Sequence, residues 1–466
     1  VKLVILFFVA VTIISIPASL LFISGSTQIV LNRPVTTIGV ETPVSLFINN
    51  PSGTTQLHVY LEQNGKRNEV FSETTPGSRF FFWRKHFPPR NLTIPVGKKE
   101  DPALTDGKAR LIVAAKSNDM RGQTDTFAQD VDVILAAPRV VADGDQHYLN
   151  TGGSELVVFT PSGYVTDSGV QVDKYQFRSF PMPGTMPNSA EQRFAMFAYP
   201  WDLPPGIVPK VFASNPSGAR AEATFWFKLF PKKFRSRDIE IDDRFLNKVV
   251  NQIEPNGSGD LLERFLKINS ELRKKNNQTL SDLRFKSEPK LLWSGPFLQL
   301  GNSKVEAVFA DDRTYVYKGK KVDRQVHLGF DLAVTAHTPI PASNDGKVVW
   351  AGDLGIYGNC VVIDHGYGLQ SIYGHLSEIG VKVDQMVKRG EIIGKSGSTG
   401  LAGGDHLHFS MQLDGVQVNP LEWWDEHWIH DRILSKLNGP VSMSERKGEE
   451  PREHLAKKGG KKHKRN

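Results

Sequence analysis

A short rhythm restricts this chain more than any other feature. Runs such as QLHVYLEQ, ARLIVAAKS, ELVVFT, KVVWAG and HLHFSMQL alternate apolar and polar residues or stay apolar for a few positions. Clusters such as NNPSGTT divide them. A period of two belongs to a strand, whose successive side chains face opposite ways. The 41 glycines and 28 prolines supply the turns between such strands. The chain is therefore expected to be mainly β.

Residues 28–137 read as a β-sandwich region of the immunoglobulin-like type. Residues 138–230 form a second β-rich region, with DKYQFRSF and ATFWFKLF among its strands. The pattern leaves open whether these are two domains or one. After Pro231 the period lengthens. Ile239 to Ile253 and Asp260 to Asn276 are expected to be helices, and Leu261, Leu262, Phe265, Leu266, Ile268 and Leu272 make an apolar stripe on the second. They define a short helical connector over 231–290. Residues 291–430 return to short strands, expected to form an antiparallel β-domain of barrel or sandwich architecture. Residues 431–466 are expected to be a basic, disordered tail ending in KKGGKKHKRN.

A length of 466 residues allows two to four domains. The single cysteine, Cys360, excludes an internal disulfide framework and a cysteine-rich zinc site. Residues 3–23 carry no charge and are long enough to cross a bilayer. With Lys2 in front, residues 1–25 are expected to be a membrane anchor. Ser24-Gly25-Ser26 offers a cleavage site for the alternative, a signal peptide. Either exports the remainder, so the expected location is the cell envelope, anchored in the inner membrane with the C-terminal domain outside the cytoplasm. The net charge of +7 is partly local to the tail, and no nucleic-acid partner is expected.

Eight of the 13 histidines fall in residues 291–430, and six of them, His327, His337, His365, His375, His406 and His408, lie among its expected strands and turns. His406 and His408 are i and i+2 on an expected strand, so their imidazoles share a face. Two imidazoles in a dry core would need polar partners. HLGFDLA adds His327 and Asp331. In a straight strand these stand roughly 13 Å apart, at about 3.3 Å per residue, so the segment must bend, and Gly329 permits it. His327, Asp331 and one of the paired histidines then make three nitrogen and oxygen ligands. Three protein ligands with a fourth position left for water are the catalytic arrangement of zinc. His375, in SIYGHL, is a further polar group for the same face.

These residues resemble the lysostaphin-type, LytM-like zinc metallopeptidases that cut peptidoglycan. HLGFD, YGHL and DHLHF appear in that family's order, and GNCVVIDHGYG, VKVDQMVKRGEIIGKSGSTG and VNPLEWW look like its intervening pieces. The resemblance covers about residues 293–430. It implies that His327, Asp331 and His408 bind one Zn²⁺, and that His375 and His406 act on the attacking water and the oxyanion. Tyr357 and Asn359 resemble substrate-facing positions. The implied function is zinc-dependent hydrolysis of peptide cross-links, with peptidoglycan stem peptides as substrate. The alternative is a non-hydrolytic wall-binding protein, or an activator of another wall hydrolase. The β-rich region before the domain is a candidate contact for cell-wall or divisome proteins, and the N-terminal segment for the membrane. VKVDQMVKRGEIIG also resembles a lipoyl or biotinyl carrier hairpin, but it lacks the lysine turn such carriers present.

Overall fold

The computed structural model describes residues 25–77, 86–183 and 192–437. The expected membrane span, 3–23, and most of the basic tail lie outside them. Among the described residues no helix is long and apolar enough to cross a membrane. Strands dominate, as the alternation predicts.

The first β-unit stacks two sheets. One holds five strands in the order Thr37–Ile38, Thr124–Val133, Gly107–Ser117, Thr54–Gln63, Lys66–Thr74. The other holds Gln28–Leu31, Thr42–Asn49 and Arg90–Val96. In Thr42–Asn49 every second residue points inward, so Val44, Leu46 and Ile48 meet Leu57, Val59 and Leu61 in a separate core. Asn64 and Gly65, both at positive φ, close the hairpin between Thr54–Gln63 and Lys66–Thr74.

The second β-unit is built differently. Its sheets run Phe180–Pro181, Arg193–Ala198, Ser154–Ser162, Arg139–Ala142 and Tyr175–Arg178, Asp167–Val172, Lys210–Ser214, Arg220–Thr224. Its core is continuous with that of the last domain: Phe194, Phe197 and Tyr199 belong to one apolar cluster with Trp293, Phe297 and Trp423. Polar groups reinforce this joint. Glu422, 7% exposed, accepts from Asn150 Nδ2 at 2.8 Å and from the Ser154 backbone N–H at 2.7 Å. Lys436 Nζ donates to Glu155 Oε1 at 2.9 Å.

The start of the expected tail needs correcting. Residues 430–437 form helical turns, with Ile433 and Leu437 in the shared core. Ile429, Ile433 and Leu437 recur every four residues, a stripe easily overlooked beside a charge-rich run.

Burial raises the Glu422 carboxyl to about 7, the Glu155 charge adds to the rise, and the hydrogen bonds from Asn150 and Ser154 oppose it. The folded state therefore holds this proton more tightly than the unfolded chain. The contribution of this group to stability should fall by on the order of 3 kcal/mol as pH rises from 4.5 to about 7, then level off. Thermal melts of the wild type and Glu422→Gln across that window should diverge by this slope, because buried histidines such as His327 and His365 titrate in the opposite sense in both proteins. The same pH dependence in both proteins contradicts the assignment.

The connector also departs from expectation. Ser236–Ile241 is a strand, paired in parallel with Asp311–Tyr317, and not the start of a helix. Ile239 and Ile241 alternate with Asp238 and Glu240, which is period two. The helix begins only at Asp243, where the Asp242 side chain caps it by accepting from Phe245 N at 2.7 Å. Asp260 caps a second helix, Leu261–Lys267, which passes through a π-turn, Ile268–Leu272, into Arg273–Asp282.

In the last domain the strands Lys304–Ala307, Phe330–Ala333, His406–Leu413, Leu369–Leu376, Asn359–Gly366, Gly346–Asp353 and Met386–Val387 lie side by side in that order, with Val416–Val418 added to His406–Leu413. All their pairings are antiparallel. Asp414 and Gly415, both at positive φ, make the tight turn of the final hairpin. Both faces of this sheet are covered. Val361, Ile363, Leu407 and Phe409 face the shared core, while Cys360, Val362 and Ile372 face Leu246, Val249, Val250 and Phe265 of the helices. The helices thus lie on the side toward which His406 and His408 point.

Candidate metal centre

Three adjacent strands bring the predicted residues together. Asp331 pairs directly with His408, Ala333 with His406, and Gly374 with His408. Leu407 and Phe409 go into the core, so His406 and His408 share the opposite face. His327 arrives from another sheet. It ends Lys320–His327, paired with Asp311, before the chain crosses into Phe330–Ala333. That change of sheet is the required bend. Gly329 serves it by space and not by a left-handed φ: a Cβ there would lie 2.7 Å from His408 Cε1.

His327 Nε2 lies 2.9 Å from His408 Nδ1 and 2.9 Å from Asp331 Oδ1, and His408 Nδ1 lies 3.1 Å from Asp331 Oδ1. These three residues form a group able to hold a metal ion. Two imidazole nitrogens and a carboxylate oxygen suit zinc. His327 Nδ1 is 3.2 Å from the Val308 carbonyl, a donor contact that leaves Nε2 with its lone pair toward the group. Burial lowers His327 to about 4 and also lowers His408, so both rings are neutral ligands near neutral pH. Burial alone would raise Asp331. The facing His327, His406 and His408 outweigh it and hold the carboxyl well below its ordinary range.

His375 and His406 stand beside the group with ring centroids 4.8 Å apart. His375 has φ +64°, a left-handed conformation costly for a side chain of this size. Its Nδ1 donates to the Thr399 carbonyl at 2.8 Å, and His406 Nδ1 donates to the Gly404 carbonyl at 2.9 Å. His375 therefore keeps Nε2 for other chemistry, while His406 Nε2 faces Asp331 Oδ1 at 3.5 Å. Burial, then the His406 charge, holds His375 well below its ordinary value. For His406 burial acts downward, but hydrogen bonding and attraction from Asp331 prevail and raise it. Two rings this close share a proton more readily than both hold one.

The cavity over these residues has a volume of about 220 Å³. Tyr357 lines it, its ring 5.4 Å from that of His408 and its hydroxyl donating to Asn277 Oδ1 at 2.9 Å. Asn359 does not line it, contrary to expectation. It begins the neighbouring strand, and its backbone N–H bonds Thr399 Oγ1 at 3.0 Å. His365 lies elsewhere, between the Asp345 carbonyl and Ser371 Oγ, and Cys360 is buried with its thiol pushed up by desolvation.

Sequence reasoning missed Arg313. Its Nη2 donates to Asp331 Oδ2 at 2.7 Å, fixing the carboxylate whose other oxygen faces the histidines. Arg313 stands opposite Arg237 in the parallel pair, and fully buried Asp311 lies close to both. The period-two spacing of Asp311 and Arg313 was the available signal.

Residues 325–420 match Peptidase family M23. Over 97 residues the chain is 41% identical to the DD-carboxypeptidase/endopeptidase Mpg of Neisseria meningitidis serogroup B, covering 21% of this chain and 22% of that protein. Over 96 residues it is 44% identical to the peptidoglycan DD-endopeptidase ShyA of Vibrio cholerae, with 21% and 22% covered. The chain thus spans about a fifth of the length of these curated relatives. Among solved structures, the catalytic domain of lysostaphin from Staphylococcus simulans is 32% identical, with 26% of this chain and 90% of that one covered and a TM-score of 0.22.

Proposed function

We propose that this chain, which carries a Peptidase family M23 domain at residues 325–420, is a zinc-dependent endopeptidase that hydrolyses peptide cross-links of bacterial peptidoglycan. The observation that carries the reading is the convergence of His327, Asp331 and His408 on one point, with two further histidines beside it.

His327 Nε2, Asp331 Oδ1 and His408 Nδ1 would hold the zinc. When bound, zinc supplies Lewis acidity that polarises a carbonyl and makes water acidic enough to attack near neutral pH. Arg313 keeps Asp331 oriented, and the Val308 carbonyl keeps His327 in the useful tautomer. His406 orients the attacking water and takes its proton at Nε2. That proton then passes to the leaving amine nitrogen, so one water is consumed for each peptide bond cut. His375, whose Nδ1–H is held by the Thr399 carbonyl, shares that same proton at Nε2 while it is in transit and then donates a hydrogen bond to the oxyanion of the tetrahedral intermediate. Tyr357 and the helical residues Phe245, Arg273 and Asn277 wall one side of the site.

Incubation of the protein with purified wall polymer tests the reading. Soluble fragments with shortened cross-links should appear, a chelator should suppress them, and added zinc should restore them. Tight wall binding without release would instead favour the non-hydrolytic reading.

A further inference from the structure

The cavity wall carries more positive charge than hydrolysis of a neutral amide requires. Arg237, Arg273 and Arg313 line it, and Asp331 is its only lining carboxylate. Arg313 is matched by Asp331. Arg235, outside the cavity, matches Asp311 with two hydrogen bonds of 2.6 and 2.7 Å. Arg237 Nε lies 3.1 Å from the same Asp311 oxygen pair, so two cations share that carboxylate. Arg273 is therefore the wall guanidinium left without a carboxylate partner among the described residues, while Arg237 shares Asp311 with Arg235.

Arg273 is also deliberately held. Asn269, 0% exposed, accepts from Arg273 Nη2 at 2.6 Å, and its own amide donates to Asp323 Oδ2 at 2.6 Å. The π-turn Ile268–Leu272 immediately precedes Arg273, a distortion often found at functional sites. One turn on, Asn277 lines the same cavity and pins the helix through Tyr357. Asn269 holds Nε and Nη2, which leaves the Nη1–Nη2 end of the guanidinium to grip a carboxylate.

We propose that Arg273, aided by the charge of Arg237, forms a carboxylate-binding subsite that selects peptides with a free carboxylate near the scissile bond. This rests on the peptidase reading above. Both arginines precede residue 325, so the subsite comes from outside the family-matched segment and would set this chain's own specificity.

The test uses a synthetic cross-linked stem-peptide dimer with a carboxylate beside the cross-link amide, as the free acid and as its carboxamide. Binding is measured by calorimetry, and cleavage in parallel, with the whole protein. The wild type should bind the acid about 10–100-fold more tightly than the amide. R273Q should abolish that preference without weakening amide binding, and R273K, which keeps charge but not the fork, should retain part of it. Equal binding of acid and amide by the wild type overturns the proposal. So does an R273Q loss that is the same for both. A preference in binding without any cleavage refutes hydrolysis and leaves carboxylate recognition standing. Cleavage of both peptides with equal KM refutes carboxylate recognition and leaves hydrolysis standing.

Discussion

His408→Ala is expected to lose bound zinc and hydrolytic activity together. The substitution removes one of three ligand atoms lying 2.9–3.1 Å from one another. It leaves His327 and Asp331 as an incomplete pair, and Asp331 with one less imidazole to balance its buried charge. Changing an outer partner of a metal ligand already costs about 10–100-fold in affinity, so removing a ligand should cost at least about 100-fold. Metal analysis after dialysis, alongside cleavage rates, reads both effects. The strand His406–Leu413 should survive, because its hold on the core runs through Leu407, Phe409 and Met411. A circular dichroism spectrum like that of the wild type checks this. Full zinc content in the variant would refute the ligand assignment.

His406→Ala should behave differently, although its side chain is only two residues away. His406 Nε2 lies 3.5 Å from Asp331 Oδ1, outside the group that converges on one point. Zinc should remain near one per chain while the rate falls about 10²–10⁴-fold, the usual worth of a general acid–base group. The loss should lie in kcat more than in KM, because the imidazole acts on the water and not on the bound peptide. The same experiment with His375→Ala should also spare zinc. If His406→Ala lost stoichiometric zinc, the division of labour between the two histidines would be wrong.

Much of the site was legible in the sequence because it is written in strand periodicity. The H-x-H spacing placed His406 and His408 on one face, and the burial of Leu407 agrees. The separation of His327 and Asp331 demanded a bend, and the chain supplies it by changing sheets. What the sequence hid arises from long-range packing. Glu422 meets Asn150 and Ser154 across more than 250 residues, and no local pattern announces such a contact. The core shared by the second β-unit and the last domain was invisible for the same reason. Arg313 and Arg273 escaped notice because charged residues on strands and helices usually face solvent. Gly329 matters for the room it leaves to the His408 ring, which only the packing reveals. Ile239 and Ile241, apolar at i and i+2 beside a helical stripe, form a pattern too short to separate a strand from the start of a helix.

The most direct measurement of the central claim is mass spectrometry of the products formed from a purified cross-linked stem-peptide dimer. The zinc-loaded protein should convert the dimer into two monomers whose summed mass exceeds the dimer by one water, and neither the chelated protein nor His408→Ala should do so. An intact dimer after incubation with protein shown to hold one zinc per chain would contradict the account.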